Sequence, residues 1–281
     1  MKWQQEGLLL KNMIKKLLLL LLFPFFISAT ELKPWYGDYL VGESRSKVLF
    51  QQFRKVATSK GKTSYKANDF FLSQSFAFSY DRYAAEVELV AAATRAQNFN
   101  LDHLKLTGRY QILDDIVEDP VSMVVGFSLI EAGRPALHDL SSFHHGLLEL
   151  ELHAAIGKEI SYGEFWLKRY FALFAIGFGQ GSPWLRAECS YAQNYCELHQ
   201  FEVFLASLFG LGGKSLRVAS FHGYGSIRHQ SVDVGLKYSY LLENVGGVLS
   251  LDYSYRIYAM NFPKNANRLC LTFFYPFGLG I

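Results

Sequence analysis

Within residues 248–258 apolar and polar side chains alternate without a break from Leu249 to Ile257: Leu249, Leu251, Tyr253, Tyr255 and Ile257 against Ser250, Asp252, Ser254 and Arg256. Successive side chains of a strand point to opposite faces, so this segment reads as a strand with one apolar face and one polar or charged face. The preceding segment repeats the arrangement, with Val232, Val234, Leu236, Tyr238 and Tyr240 opposed by His229, Ser231, Asp233, Gly235, Lys237 and Ser239. Each run has roughly ten residues, the length at which a tilted strand crosses a bilayer.

Similar dyads occur at 85–93 (Val87, Leu89, Ala91 against Glu86, Glu88), at 103–112 (Leu104, Leu106, Tyr110, Ile112 against Lys105, Thr107, Arg109, Gln111) and at 148–156 (Leu148, Leu150, Leu152, Ile156 against Glu149, Glu151, His153). Less clean runs lie at 70–79, 121–130, 165–178, 183–189, 199–209, 214–221 and 268–279. The pattern predicts an all-β chain, an antiparallel transmembrane β-barrel of about twelve strands, with ten to fourteen allowed. Residues 68–281 are its expected extent and 30–67 a lead-in, with room for one further strand near 46–55.

A soluble periplasmic β-sandwich binding protein would show the same alternation, its apolar face forming a core. Three features favour the barrel. Tyr residues gather near strand ends, as interfacial belts do. Short turns at 179–182, 210–213 and 243–247 alternate with longer links at 157–164, 190–198, 222–228 and 259–267, although 131–146 is long for the periplasmic side on which this register puts it. The last segment, Leu269 to Phe277, is aromatic and strand-like, as in barrel insertion signals, although the chain finishes Gly278-Leu279-Gly280-Ile281. Composition agrees: aromatic residues make up 16% and charged residues only 19%, below the quarter or so of a soluble domain.

Export is written at the amino terminus. Lys15-Lys16, six leucines from Leu17 to Leu22 and the close at Ser28-Ala29 have the charged, apolar, small-residue order of a signal peptide over residues 1–29, whose true start is equally well Met13. The apolar run is shorter than the ~20 residues of a spanning helix. Removing Lys2, Lys11, Lys15 and Lys16 from 28 basic residues and Glu6 from 25 acidic ones leaves 24 of each. A balanced chain without a basic block gives no electrostatic case for a nucleic-acid partner. The expected location is the bacterial outer membrane, with its lipid and the barrel-assembly machinery as partners.

Two kinds of chemistry fit the polar residues. The strand carrying His229-Gln230-Ser231, with Glu243 a dozen residues on, has the spacing of an outer-membrane lipid acyl hydrolase, in which His229 is base, Ser231 nucleophile and Glu243 orients the histidine. Against this, Val232 and Asp233 follow the serine, the pair shares parity with the polar face, and Glu243 lies at the far end of the same strand. The alternative is a lumen network of Glu86, Glu88, Lys105, Arg109, Glu149, Glu151, His153, Asp233, Lys237, Asp252 and Arg256, which either pair with one another in a narrow interior or line a small-solute channel. His144-His145 with Glu149, Glu151 and His153 reads as a solvated loop pair rather than a metal centre, and no cofactor is implied. Cys189 and Cys196 bracket an expected outer loop as candidates for a disulfide, leaving Cys270 odd.

Several stretches, Glu31-Leu32-Lys33-Pro34-Trp35-Tyr36-Gly37, Gly108-Arg109-Tyr110-Gln111, Gly181-Ser182-Pro183-Trp184-Leu185-Arg186, His229-Gln230-Ser231-Val232-Asp233 and Tyr275-Pro276-Phe277-Gly278-Leu279, resemble a chlamydial-type family of outer-membrane barrels. The resemblance implies a location and a fold. It implies no activity.

Overall fold

A computed structural model of the chain describes residues 32–37, 41–59, 61–162 and 165–278. The expected signal peptide at 1–29 and the start at Met13 lie outside these residues. The strands are β1 (Val41–Thr58), β2 (Gly61–Tyr80), β3 (Tyr83–Ala93), β4 (Asn100–Leu113), β5 (Ser122–Ala132), β6 (Leu148–Tyr162), β7 (Phe165–Phe178), β8 (Trp184–Tyr195), β9 (His199–Leu211), β10 (Arg228–Leu242), β11 (Gly247–Met260), β12 (Pro263–Lys264) and β13 (Asn267–Gly278). Apart from the two-residue β12, they form a closed antiparallel barrel of 12 strands.

Closure runs through β1. Its residue Lys47 pairs with Thr272 of β13 on one side and with Ser73 of β2 on the other, so the first strand seals the wall. Every other wall strand pairs with its neighbours along the chain. A closed ladder leaves no edge groups for hydrocarbon to strand, the condition for spanning a bilayer with strands. The apolar faces point outward: Phe76, Phe127, Phe174 and Leu236 are among the exposed side chains, as are Leu249, Leu251, Tyr253 and Ile257 of the row that opened the argument. The polar faces are buried inside. That inversion of a soluble core excludes the β-sandwich. Aromatic pairs Tyr83–Tyr110, Tyr170–Tyr191 and Phe201–Tyr238, with ring centroids 5.1 to 5.2 Å apart, lie toward the barrel end that carries the termini.

Two strand assignments change, and they compensate. The further strand allowed near 46–55 is present and longer, a full wall strand over Val41–Thr58, so the barrel begins at Val41 rather than at residue 68 and 30–67 is not merely a lead-in. Residues 214–221 are a loop with a short 3-10 turn at Val218–Ser220. Missing one strand at the start inverts the sidedness of everything after it, until a spurious strand restores it. Hence 81–82, 114–121, 196–198 and 243–246 connect strands at the end bearing the termini, while the long loops 133–147 and 212–227 both lie at the opposite end. Residues 131–146 are therefore not periplasmic. By the usual rule of short periplasmic turns and long outer loops, the termini mark the periplasmic mouth.

Candidate functional site

The inward faces carry the charges. Glu86, Glu88, Lys105, Arg109, Glu149, Glu151, His153, Asp233 and Arg256 are buried within the barrel, and Lys237 faces its β-partner Asp252, both half-buried. Opposite charges meet across strands: Arg186 on β8 reaches Glu151 on β6 at 2.8 Å, and Arg256 on β11 grips Asp233 on β10 with Nε to Oδ1 at 2.6 Å and its second guanidinium nitrogen to Oδ2 at 2.8 Å. Arg268 on β13 joins the same carboxylate at 3.1 Å. Two cations on one carboxylate answer the high cost of burying any of these charges alone.

The periplasmic mouth is stopped by the segment 32–37. Leu32 packs on Ala155, Phe171, Leu173 and Ala175, a place where the inward faces of β6 and β7 turn apolar to receive it. Lys33 crosses the bore: Arg109 on β4 donates to its carbonyl oxygen at 3.2 Å, and its ammonium group meets Glu202 on β9 at 2.8 Å. The Trp35 indole donates to Asp115 at 3.0 Å and its ring lies 4.8 Å from the Arg169 guanidinium. Gly157 makes room for it, since a Cβ there would stand 2.7 Å from the Trp35 ring.

The outer mouth is stopped by loops 133–147 and 212–227, folded inward. Leu140, Leu216, Phe221, Tyr224 and Ile227 form an apolar cluster with Phe53, Val56 and Phe262. Tyr224 donates its hydroxyl to the Leu140 carbonyl at 2.9 Å and its backbone N–H to the His144 carbonyl at 2.8 Å, so the two loops brace each other. His138 and His222 add a contact between ring nitrogens at 2.8 Å. Gly225 lies so close to the loop backbone that a Cβ would stand 2.2 Å from both the Gln180 and the His145 carbonyl oxygens.

His144 and His145 are not a solvated pair, because both are buried. His144 sits between two carboxylates, with Nε2 2.9 Å from Asp102 Oδ2 and Nδ1 3.4 Å from Glu149 Oε1. Burial works against its charge, but the hydrogen bonds and charges of Asp102 and Glu149 outweigh burial and push it up to about 10. His145 lies flat on Trp184, with ring centroids 4.0 Å apart, and its Nε2 is 2.9 Å from Nε2 of His229. Burial, reinforced by His229 and His144, pushes His145 well below the usual histidine range.

Between the two stoppers lies a cavity of about 430 Å³. Lys47, Glu88, Lys105, Arg186, Glu188 and Arg268 line it, with the aromatic rings of Phe71 and Phe143. It joins charged and apolar patches in one chamber.

The acyl-hydrolase triad is not assembled. His229 begins β10 at the outer mouth and Glu243 lies beyond its other end at the periplasmic mouth, while His229 and Ser231 are buried inward, away from lipid. His229 spends its Nε2 on His145. The expected disulfide also fails: Cys189 sits within β8 and Cys196 lies past its end at Tyr195, seven residues on. At strand rise that is about 23 Å, against the ~7 Å limit for bridged Cα atoms, and both thiols are free.

Sequence reading missed Asp102 and His103 altogether, along with the stopper residues Leu32, Trp35, Leu140 and Tyr224. The signal for the first pair was present: two polar residues in succession, between Leu101 and Leu104, break the alternation of β4.

No protein-family model and no curated protein matches the sequence. Among solved structures, an outer membrane channel from Pseudomonas putida F1 superposes with a TM-score of 0.63 at 12% identity, covering 89% of this chain and 100% of that one. The translocator domain of the autotransporter NalP from Neisseria meningitidis gives a TM-score of 0.50 at 12% identity, over 86% of this chain and 89% of its own. At such identities the likeness is one of fold. The fold is that of bacterial outer-membrane β-barrels.

Proposed function

We propose that this protein is a small-solute channel of the bacterial outer membrane that rests closed at both mouths. One observation carries the reading: a chamber of about 430 Å³, lined by charged side chains, is held between two stoppers made of different parts of the chain. A barrel serving only as a wall element would gain stability by filling that space, since close packing is the favoured interior state. Here the charged lining is kept, and the stoppers are fastened by a few polar contacts and small apolar clusters.

The neighbour from Pseudomonas putida F1 is itself described as an outer membrane channel, which supports the reading. Outer-membrane lipid and the barrel-assembly machinery are the partners it requires, and the chlamydial-type kinship rests on the sequence stretches quoted above. Nothing in the geometry supports lipid hydrolysis.

Conductance across planar bilayers tests the proposal. The intact chain should stay largely closed, with brief openings, and a variant in which 133–147 is replaced by a short turn should conduct more steadily. If that variant and one lacking 32–37 are both silent, the role is structural.

A further inference from the structure

A regular strand cannot turn two successive side chains to one face. β4 does so at Asp102 and His103, because Val90 of β3 pairs with His103 and the next residue, Ala91, pairs with Leu101, which leaves Asp102 as the extra residue of a bulge. Bulges of this kind re-aim side chains and collect beside functional sites. Asp102 Oδ2 is 2.8 Å from His103 Nδ1 and 2.9 Å from Nε2 of His144, which hangs from the loop 133–147. The three donor atoms all lie within 4.8 Å of one another.

A second layer holds them. Glu149 Oε1 lies 3.4 Å from Nδ1 of His144 and also accepts the backbone N–H groups of His145, at 2.6 Å, and Gly146, at 3.3 Å. A proton kept on Nδ1 by Glu149 leaves Nε2 as a lone-pair donor, the arrangement in which a carboxylate orients a metal-bound histidine. Ser142 donates to the other oxygen of Asp102 at 2.5 Å and fixes the carboxylate plane. All three candidate ligands also border the cavity, where a fourth ligand, water or solute, has access.

We propose that Asp102, His103 and His144 bind a divalent transition-metal ion of the zinc class, which fastens the loop 133–147 to the barrel wall. Two imidazoles and one carboxylate suit zinc-like ions rather than calcium or magnesium, which favour all-oxygen shells. Metal-to-ligand distances of about 2.0–2.2 Å require the two Asp102 contacts to open slightly around the ion and the two ring nitrogens to stand no more than about 4.4 Å apart. The ion then takes the place of the proton that these hydrogen bonds share. Because the ligands come from both wall and loop, its binding energy adds directly to closure of the outer mouth. The inference stands apart from the channel reading, since it is tested by binding and not by conduction.

The test uses the exported chain without a polyhistidine tag, stripped with a chelator, folded in detergent and titrated with Zn²⁺ by calorimetry. One ion should bind per barrel, and Co²⁺ should give the visible absorption of a low-coordinate N/O site. His144→Ala and Asp102→Asn should abolish saturable binding, Glu149→Gln should weaken it about 10–100-fold, and His199→Ala, at the other mouth, should leave it unchanged. Zn²⁺ should also slow proteolysis within 133–147. Heat-modifiable gel migration reports folding of each variant, and if Asp102→Asn fails to fold, His103→Gln at a partly exposed position replaces it. Absence of saturable binding by the folded wild-type barrel, or undiminished binding by His144→Ala, overturns the proposal.

Discussion

Lys33 and Glu202 meet at 2.8 Å in the middle of the periplasmic mouth, and the carbonyl of the same lysine is held by Arg109 on a distant strand of the wall. A single residue thereby spans the bore. The double variant Lys33→Met/Trp35→Ala should remove the ion pair and the indole contact to Asp115 together, leaving Leu32, the buried Pro34 and the Tyr36 ring under Arg109 to hold the segment. Steady conductance where the wild type is mostly silent is the expected result, with unchanged heat-modifiable migration showing that the wall is intact.

At the outer mouth the sensitive position is Gly225. A methyl group there would collide with the Gln180 and His145 backbones, which have no flexible end to move aside. Gly225→Ala should displace the loop 212–227 and increase its cleavage by protease added to intact cells at least several-fold. Gly213→Ala, where a Cβ meets nothing within 4 Å, is the control and should be neutral.

Asp233 is the shared anion of Arg256 and Arg268. Asp233→Asn leaves the buried Arg256 and the half-buried Arg268 without their shared anion, and losing one partner of a buried ion pair costs about 3–5 kcal/mol. Urea-driven unfolding in detergent or lipid vesicles should show a loss of that order. Lys62→Gln, at an exposed position outside this cluster, should change stability by less than ~0.5 kcal/mol, as surface changes do.

The Asp115 carboxylate fastens the periplasmic stopper. Burial alone would raise it, but hydrogen bonds from Ser122, the Glu159 backbone and Trp35, with Lys158 nearby, outweigh burial and hold it below the usual aspartate range. A depressed carboxyl contributes stability above its unfolded value, near pH 3.9, and that stability is lost as pH falls through the folded value. Docking of 32–37 should therefore persist from neutral pH down to about 4 and fail only in stronger acid. Conductance recorded while the terminus-bearing side is acidified checks this, and Asp115→Asn should open that mouth already at neutral pH.

The thiols offer a test of sidedness. Cys189 is exposed on the outer wall and Cys196 in the turn at the periplasmic mouth, whereas Cys270 is buried. In proteoliposomes a water-soluble maleimide should label Cys196, while Cys189 should react only with a lipid-soluble one. Non-reducing mass analysis should find no internal bridge.

Strand alternation made most of the wall legible, because hydrocarbon outside and charge inside impose a two-residue period. It was faint at β1, where it allowed a strand only near 46–55, because Ser44, Ser46 and Gln52 occupy the outward face in place of apolar residues; Ser44 and Ser46 both hydrogen-bond Gln74, and Gln52 hydrogen-bonds Asn68. It also produced a false strand at 214–221, where Leu216 and Phe221 are apolar because they plug the mouth. The stoppers and the Asp102–His103–His144 cluster depend on contacts between distant segments and on a register shift, neither of which a periodic reading resolves. The lumen charges were found by parity alone; their pairing, such as Arg186 with Glu151, required the strand register.

The first and last strands of the described chain are hydrogen-bonded neighbours. The wall is therefore closed only when β13 meets β1, and the twelve residues of that strand act as the fastener. Until β13 docks on β1, both free margins expose backbone amides that lipid cannot solvate. A chain shortened by that one strand would lose the closed topology as a whole, rather than one twelfth of its stability.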